Sequence, residues 1–201
     1  MKKVKAFIGI VVLLIFVYLY AHIAKMNMIY DKKVDSSEYL STGVVAGTIE
    51  QEFICKEDTL DGISAKCQLI GDTTDSKVRL TLIEKETGKV AAEVEVNAGE
   101  MKNGKFNKFS FDTITDCKGK TFKVVFENSG ANIEDGVGIG FVYQQETEKG
   151  TKLTINHQDT QGTLILKTIT NRFDIETFCV LLLLILYIIV FVKFLYRLFA
   201  K

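Results

Sequence analysis

The chain has 201 residues, with 25 basic and 25 acidic side chains, 14 Phe, no Trp and no Pro. Its formal net charge of zero hides a division: the two ends carry six of the basic residues and one acidic residue, leaving the middle with 19 basic against 24 acidic, a net of −5. An acidic middle excludes nucleic acid as a partner, because phosphates need a basic face, and an apolar block at each end points to the lipid bilayer instead.

Residues 1–5, MKKVK, form a short basic end, and residues 6–24, AFIGIVVLLIFVYLYAHIA, follow without a formal charge. At about 1.5 Å per residue this block is long enough to cross a hydrocarbon layer of about 30 Å, so it is expected to be a transmembrane helix. A signal peptide is the competing reading. The block is long for an apolar core of that kind, and Ala21 and Ala24 around His22 and Ile23 make a poor cleavage site. Tyr18, Tyr20 and Tyr30 flank its outer boundary as expected interface anchors.

Residues 25–42, KMNMIYDKKVDSSEYLST, are polar and mixed and read as a stalk. From residue 43 to 170 the pattern becomes short β-rich runs separated by Gly, Asp and Asn turns. Eight strands are expected, at 44–55, 62–70, 77–84, 89–97, 105–112, 120–128, 137–145 and 162–169. Alternation is clearest in KVRLTLIE, where Val78, Leu80 and Leu82 share one face, and in TFKVVFEN, where Phe122, Val124 and Phe126 do. Eight strands in this span suit an all-β, antiparallel two-sheet jelly-roll sandwich flanked by two transmembrane α-helices.

A linker at 171–176 leads to the second apolar block, TFCVLLLLILYIIVFVKFLYRLFAK, expected to span the membrane over residues 177–196. Tyr196 is read as an inner interface anchor, and the hydroxyl of Tyr187, deep in the block, is matched either to a partner helix or to simple tolerance. Lys2, Lys3 and Lys5 before the first helix, and Lys193, Arg197 and Lys201 at the end of the second, place residues 1–5 and 197–201 in the cytoplasm by the positive-inside rule. The expected location is the cell membrane, two-pass, with the central domain extracellular.

Candidate chemistry is sparse. In IEQEFICKEDTLDGISAKC a hairpin turning at Asp61–Gly62 would send the sulfurs of Cys55 and Cys67 to opposite faces, and a wider loop would leave them about 16 Å apart. Neither register makes a disulfide without a bulge or a move between sheets. Cys117 lies in a turn and Cys179 in the second helix, so the outer domain holds an odd three, expected to be free thiols in the core, with a bridge among the three as the alternative and zinc disfavoured because no C-x-x-C spacing exists. Glu57, Asp58, Asp61, Asp72 and Asp75 could offer oxygens to Ca²⁺ but match no calcium loop, and solvated turns explain them. His22 and His157 are the only histidines, and neither a nucleophile elbow nor a zincin motif is present. Phe141 and Tyr143 could stack on a sugar ring or fill the core. No catalytic, metal-ligating, cofactor-binding or ligand-binding residue is assigned, and the chain is read as not an enzyme.

The runs TIEQEF, DTLDGIS, FNKFSFDTITDCKGKTFKVVFEN and GTLILK resemble an extracellular, carbohydrate-binding-module-like β-sandwich of Gram-positive envelope membrane proteins, found appended to polytopic glycosyltransferase-like proteins. The resemblance is carried by Gln51, Phe53, Leu60, Gly62, Ile63, Phe109, Phe111, the Asp116–Gly119–Lys120 turn, Leu164 and Leu166, all structural positions, with Cys117 standing where Ser is expected. It implies a non-catalytic accessory protein of cell-envelope polysaccharide or glycolipid assembly. Its expected partners are the bilayer, surface glycan, and a polytopic glycosyltransferase or exporter. A stand-alone tethered glycan-binding module and an envelope hydrolase are the alternatives.

Overall fold

The structure, a computed structural model, describes residues 2–45, 47–130 and 132–199. Lys201 of the expected basic end and Ala46 of the first expected strand lie outside the described residues. The chain divides into two compact units, one made of the segment through Lys25 together with the segment from Asn171 onward, the other of Met26–Thr170.

In the first unit α1 spans Lys2–Tyr20 and α2 spans Ile175–Phe199. Asp174 starts α2 by accepting hydrogen bonds from the amides of Glu176 (3.0 Å) and Thr177 (3.2 Å), which satisfies donors that a helix N-terminus otherwise leaves bare. Among the described residues α2 is the one helix long and apolar enough to cross a membrane, with mean hydropathy 3.0 over its most apolar window. The apolar part of α1 is Phe7–Tyr20, about 21 Å of helix against the roughly 30 Å of a hydrocarbon layer. The expected span at 6–24 therefore differs from what is observed. The helix ends at Tyr20, and His22–Met28 becomes strand β1, hydrogen-bonding demand from a neighbouring strand having overridden a run that local hydropathy assigns to helix.

The second unit is built from strands. After β1 come β2 (Leu40–Ser41), β3 (Thr48–Ile54), β4 (Leu60–Ile70), β5 (Lys77–Glu84), β6 (Val90–Asn97), β7 (Phe106–Ile114), β8 (Thr121–Ser129) and β9 (Gly138–Gln144). The last four are β10 (Lys152–Ile155), β11 (Gln158–Thr160), β12 (Thr163–Leu164) and β13 (Leu166–Phe173). Two sheets result. One orders its strands β1-β13-β4-β9-β12, with β7 also on β4 and β2 also on β9; the other runs β11-β10-β3-β8-β5-β6.

All eight expected strands are present, the one expected at 162–169 being divided into β12 and β13, and β1, β2, β10 and β11 are additional. Two of the additions change the reading of residues 25–42. The segment carries the end of β1, a short 3₁₀ turn at Ser36–Glu38 and β2, which pairs with β9 through Leu40 and Tyr143, so it is sheet at both ends instead of a free stalk. The hairpin considered for residues 49–67 is also replaced. β3 pairs with β8 and β10 while β4 pairs with β7, β9 and β13, so this stretch crosses from one sheet to the other. Asp61 and Gly62 are strand residues beside a register shift between Leu60 and Gly62. Gly62 is needed for close approach, since a Cβ there would lie 2.8 Å from the carbonyl oxygen of Phe109. A DG pair looks the same in sequence whether it turns a hairpin or admits a neighbouring backbone.

The core lies between the sheets. Val78, Leu80, Leu82, Phe122, Val124 and Phe126 are buried on the inner face of one sheet, as their alternation predicts. Phe126 meets Phe109 at 5.5 Å and Phe141 at 4.4 Å between ring centroids, so aromatic contacts join the two layers. The outer face of the β3-β8-β5 region carries ion pairs, including Lys123–Glu50 (3.0 Å), Lys120–Glu84 (2.8 Å) and Lys77–Glu95 (2.9 Å).

Candidate binding surface

The outer face of the other sheet is chemically different. On β4 the inward residues Ile63, Ala65 and Cys67 are buried, which turns Lys66 outward. Lys66 stands opposite Phe106 of β7, and Ser64 stands between Lys108 of β7 and Lys167 of β13. The segment between β1 and β2 adds two rings. Tyr30 stacks on Phe106 at 6.3 Å and meets Tyr39 edge-on at 6.4 Å.

Two ammonium groups complete the cluster. Lys167 Nζ lies 3.8 Å from the centroid of Phe106, and Lys66 Nζ lies 5.3 Å from that of Tyr39, both in the range of cation–π attraction. Burial lowers the Lys167 pKa, and the nearby charge of Lys32 lowers it further. Burial raises the Tyr30 phenol, with Tyr39 adding to it, and raises Tyr39, with Asp35 and Asp31 adding. Phe106 remains 37% exposed. The arrangement offers apolar ring surface beside cationic donors, which suits a ligand that has C–H faces together with hydroxyl, carboxylate or phosphate oxygens.

Sequence reading does not find this cluster because Tyr30, Tyr39, Lys66, Phe106 and Lys167 come from four separate segments, joined only by sheet register. It assigns Tyr30 to a membrane interface, whereas the ring packs within the sandwich unit against Phe106. Phe141 is 1% exposed and serves the core, not a sugar platform, and Tyr143 packs against the core from a half-buried position. Tyr187 stacks on Phe191 one helical turn later in α2, at 6.0 Å.

The other candidates are dispersed. His157 is exposed and, with Asn156, forms the turn between β10 and β11; both residues have positive φ, 62° and 50°, as a two-residue hairpin of this hand requires. Asp61 accepts a hydrogen bond from the Thr113 hydroxyl. Asp72 accepts from both the hydroxyl and the amide of Thr74, and these bonds hold its carboxyl below the usual range. Glu57 accepts from Asn27 at 3.3 Å. Among the described residues no group of three or more His, Cys, Asp or Glu is placed to hold a metal ion.

All four cysteines are free thiols, with Cys55, Cys67 and Cys117 buried and Cys179 exposed. Cys67 is fully enclosed, its thiol directed at the Ala65 carbonyl (3.5 Å), and burial pushes its pKa up to about 12.

No protein-family model matches the sequence, and no curated protein matches it. Among solved structures the chain is similar, at 12% identity and a TM-score of 0.28, to the crystal structure of infectious bursal disease virus VP2 subviral particle; the match covers 74% of this chain and 40% of that one.

Proposed function

We propose that this chain is a membrane-anchored, non-catalytic accessory protein of cell-envelope polysaccharide or glycolipid assembly. In this reading α2 crosses the membrane, α1 crosses it over the whole of Lys2–Tyr20 and not over the expected 6–24, both termini are cytoplasmic, and an extracellular jelly-roll domain meets glycan or the outer loops of a polytopic glycosyltransferase or exporter. The observation that carries it is the lysine–aromatic face formed by Tyr30, Tyr39, Lys66, Phe106 and Lys167, which presents ring surface and ammonium groups together. The apolar, unburied surface of α2 supports the membrane part, and the basic residues at the two ends support the orientation.

Topology is tested with an impermeant thiol reagent on intact cells. The four native cysteines are replaced and single probes are placed at Lys2 and at Glu86, an exposed residue between β5 and β6. Only the probe at Glu86 should be modified; modification at both positions, or at Lys2 alone, overturns the orientation.

The binding face is tested with full-length protein in nanodiscs, titrated with solubilised wall polysaccharide. Tyr39→Ala and Lys66→Ala should each weaken binding about 5–30-fold, while Lys123→Ala on the opposite sheet should leave it unchanged. Crosslinking in native membranes then separates the two forms of the proposal. Co-purification of a multi-spanning glycosyltransferase or exporter supports the accessory role, whereas polysaccharide binding by a chain that purifies alone supports a tethered glycan-binding module. Hydrolysis of the polymer would exclude both.

A further inference from the structure

Two of the crossings between the sheets, β3 to β4 and β7 to β8, meet at one end of the core, and a cysteine from each is buried there. The chain leaves β3 at Ile54 and passes through residues 55–59 into β4, while residues 115–120 link β7 to β8. The links are laced together by their backbones. The amide of Cys55 donates to Lys120 O (2.9 Å), the amide of Gly119 donates to Cys55 O (2.9 Å), and the amide of Cys117 donates to Asp58 O (2.9 Å).

The turn that holds Cys117 is fixed from within. Lys120 N donates to Cys117 O at 3.1 Å, and Asp116 and Gly119 take positive φ values of 56° and 80°. Cys55 and Cys117 are 2% and 0% exposed, and both belong to the hydrophobic core. The backbone bonds bring both side chains to one place in the core, where each thiol perturbs the ionisation of the other. Each also reaches a backbone carbonyl, Cys55 that of Glu57 at 3.3 Å and Cys117 that of Ile114 at 3.4 Å. The flanking residues Lys56, Asp58, Asp116 and Lys118 are exposed, so the pair lies one layer below solvent.

We infer that Cys55 and Cys117 are a dithiol site that closes to a disulfide, stapling the β3–β4 crossing to the β7–β8 turn. The reaction is thiol–disulfide exchange with a disulfide oxidant. The two thiols release two protons and two electrons and form one S–S bond, while the oxidant R–S–S–R takes up both and leaves as two R–SH. The remaining cysteines stay reduced. Cys67 is enclosed by core residues, and Cys179 belongs to α2.

The pairing is invisible in sequence, because the cysteines are 62 positions apart and the hairpin reading of residues 49–67 directs attention to Cys67. Burial raises the Cys55 pKa and pushes that of Cys117 up to about 12. Little thiolate is therefore present at neutral pH, and exchange in the folded protein is slow. The bridge forms most readily while the chain is folding, before the turn is packed away.

The test uses full-length protein in detergent, equilibrated with mixtures of reduced and oxidised glutathione both as the folded protein and after unfolding and refolding. Free thiols are then alkylated, and the unreduced protein is digested with trypsin. The expected product is one disulfide-linked pair of peptides, residues 34–56 with residues 109–118, while peptide 67–77 is alkylated. Oxidised protein should melt about 5–10 °C above reduced protein. Cys67→Ser should keep that difference, and Cys55→Ser should abolish it. Alkylation of both Cys55 and Cys117 at every glutathione ratio in both procedures, or a bridge from either of them to Cys67, overturns the proposal. The outcome does not depend on what the sandwich binds.

Discussion

Phe126→Ala should destabilise the sandwich by about 3–5 kcal/mol, the largest loss expected from a single core truncation here. The ring is 1% exposed and lies between Phe109 at 5.5 Å and Phe141 at 4.4 Å. Its removal takes apolar area out of burial and leaves a hole that two large rings on the opposite sheet cannot fill without leaving their own rotamers. Lys123, three residues earlier on the same strand, faces outward in an ion pair with Glu50, so Lys123→Ala should change stability little. Chemical denaturation of the full-length protein in detergent, followed by near-ultraviolet circular dichroism, separates the two. Similar small effects from both would show that β8 is turned the other way.

Gln51→Leu should cost about 2–4 kcal/mol although it replaces a polar residue by an apolar one of similar size. Gln51 is completely buried on the inner face of β3, and its side chain makes contacts that no aliphatic residue can reproduce. Its Oε1 accepts from the amide of Leu164 in the opposite sheet at 2.8 Å, and its Nε2 donates to Lys152 O at 3.1 Å on β10. Leucine at this position strands the buried Leu164 amide without a partner. Gln51→Glu separates a lost hydrogen bond from a misfit of shape. Burial raises the folded-state pKa of a carboxyl there, so its penalty should be small below pH 4 and grow as pH rises above the ordinary carboxylate value. A penalty that is the same at pH 4 and pH 8 would exclude this account.

Gln51 also marks the limit of what the sequence conveys. In TIEQEF a polar residue occupies an inward position of an alternating strand, which flags a buried network without naming its partners. The alternation in KVRLTLIE and TFKVVFEN determines which side chains face the core, because a strand's two faces are a local property. Which strands become neighbours is not local. The sequence therefore leaves open that β3 and β4 belong to different sheets, that Cys55 meets Cys117 instead of Cys67, and that Lys167 covers Phe106. The boundary at Tyr20 is hidden for the same reason, since Ala21 to Ala24 continue an apolar run and only strand pairing removes them from the helix.

The placement of β1 beside β13 sets an order in time. The amide of Ile29 donates to Leu166 O at 3.2 Å, and the Thr168 hydroxyl reaches Asn27 O at 3.5 Å, across 141 positions of sequence. At a synthesis rate of about 5–20 residues per second, roughly 7–30 s separate the first of these residues from the last. For roughly 5–20 s of that interval, from the synthesis of Gly62–Ala65 to that of Leu166–Ile169, this edge of β4 has no β13 to receive it, and an unpaired edge is where a nascent chain joins the wrong neighbour. The strand made first is thus among the last to be secured, and the vulnerable stage of this protein's life falls before its final turn of sheet is complete.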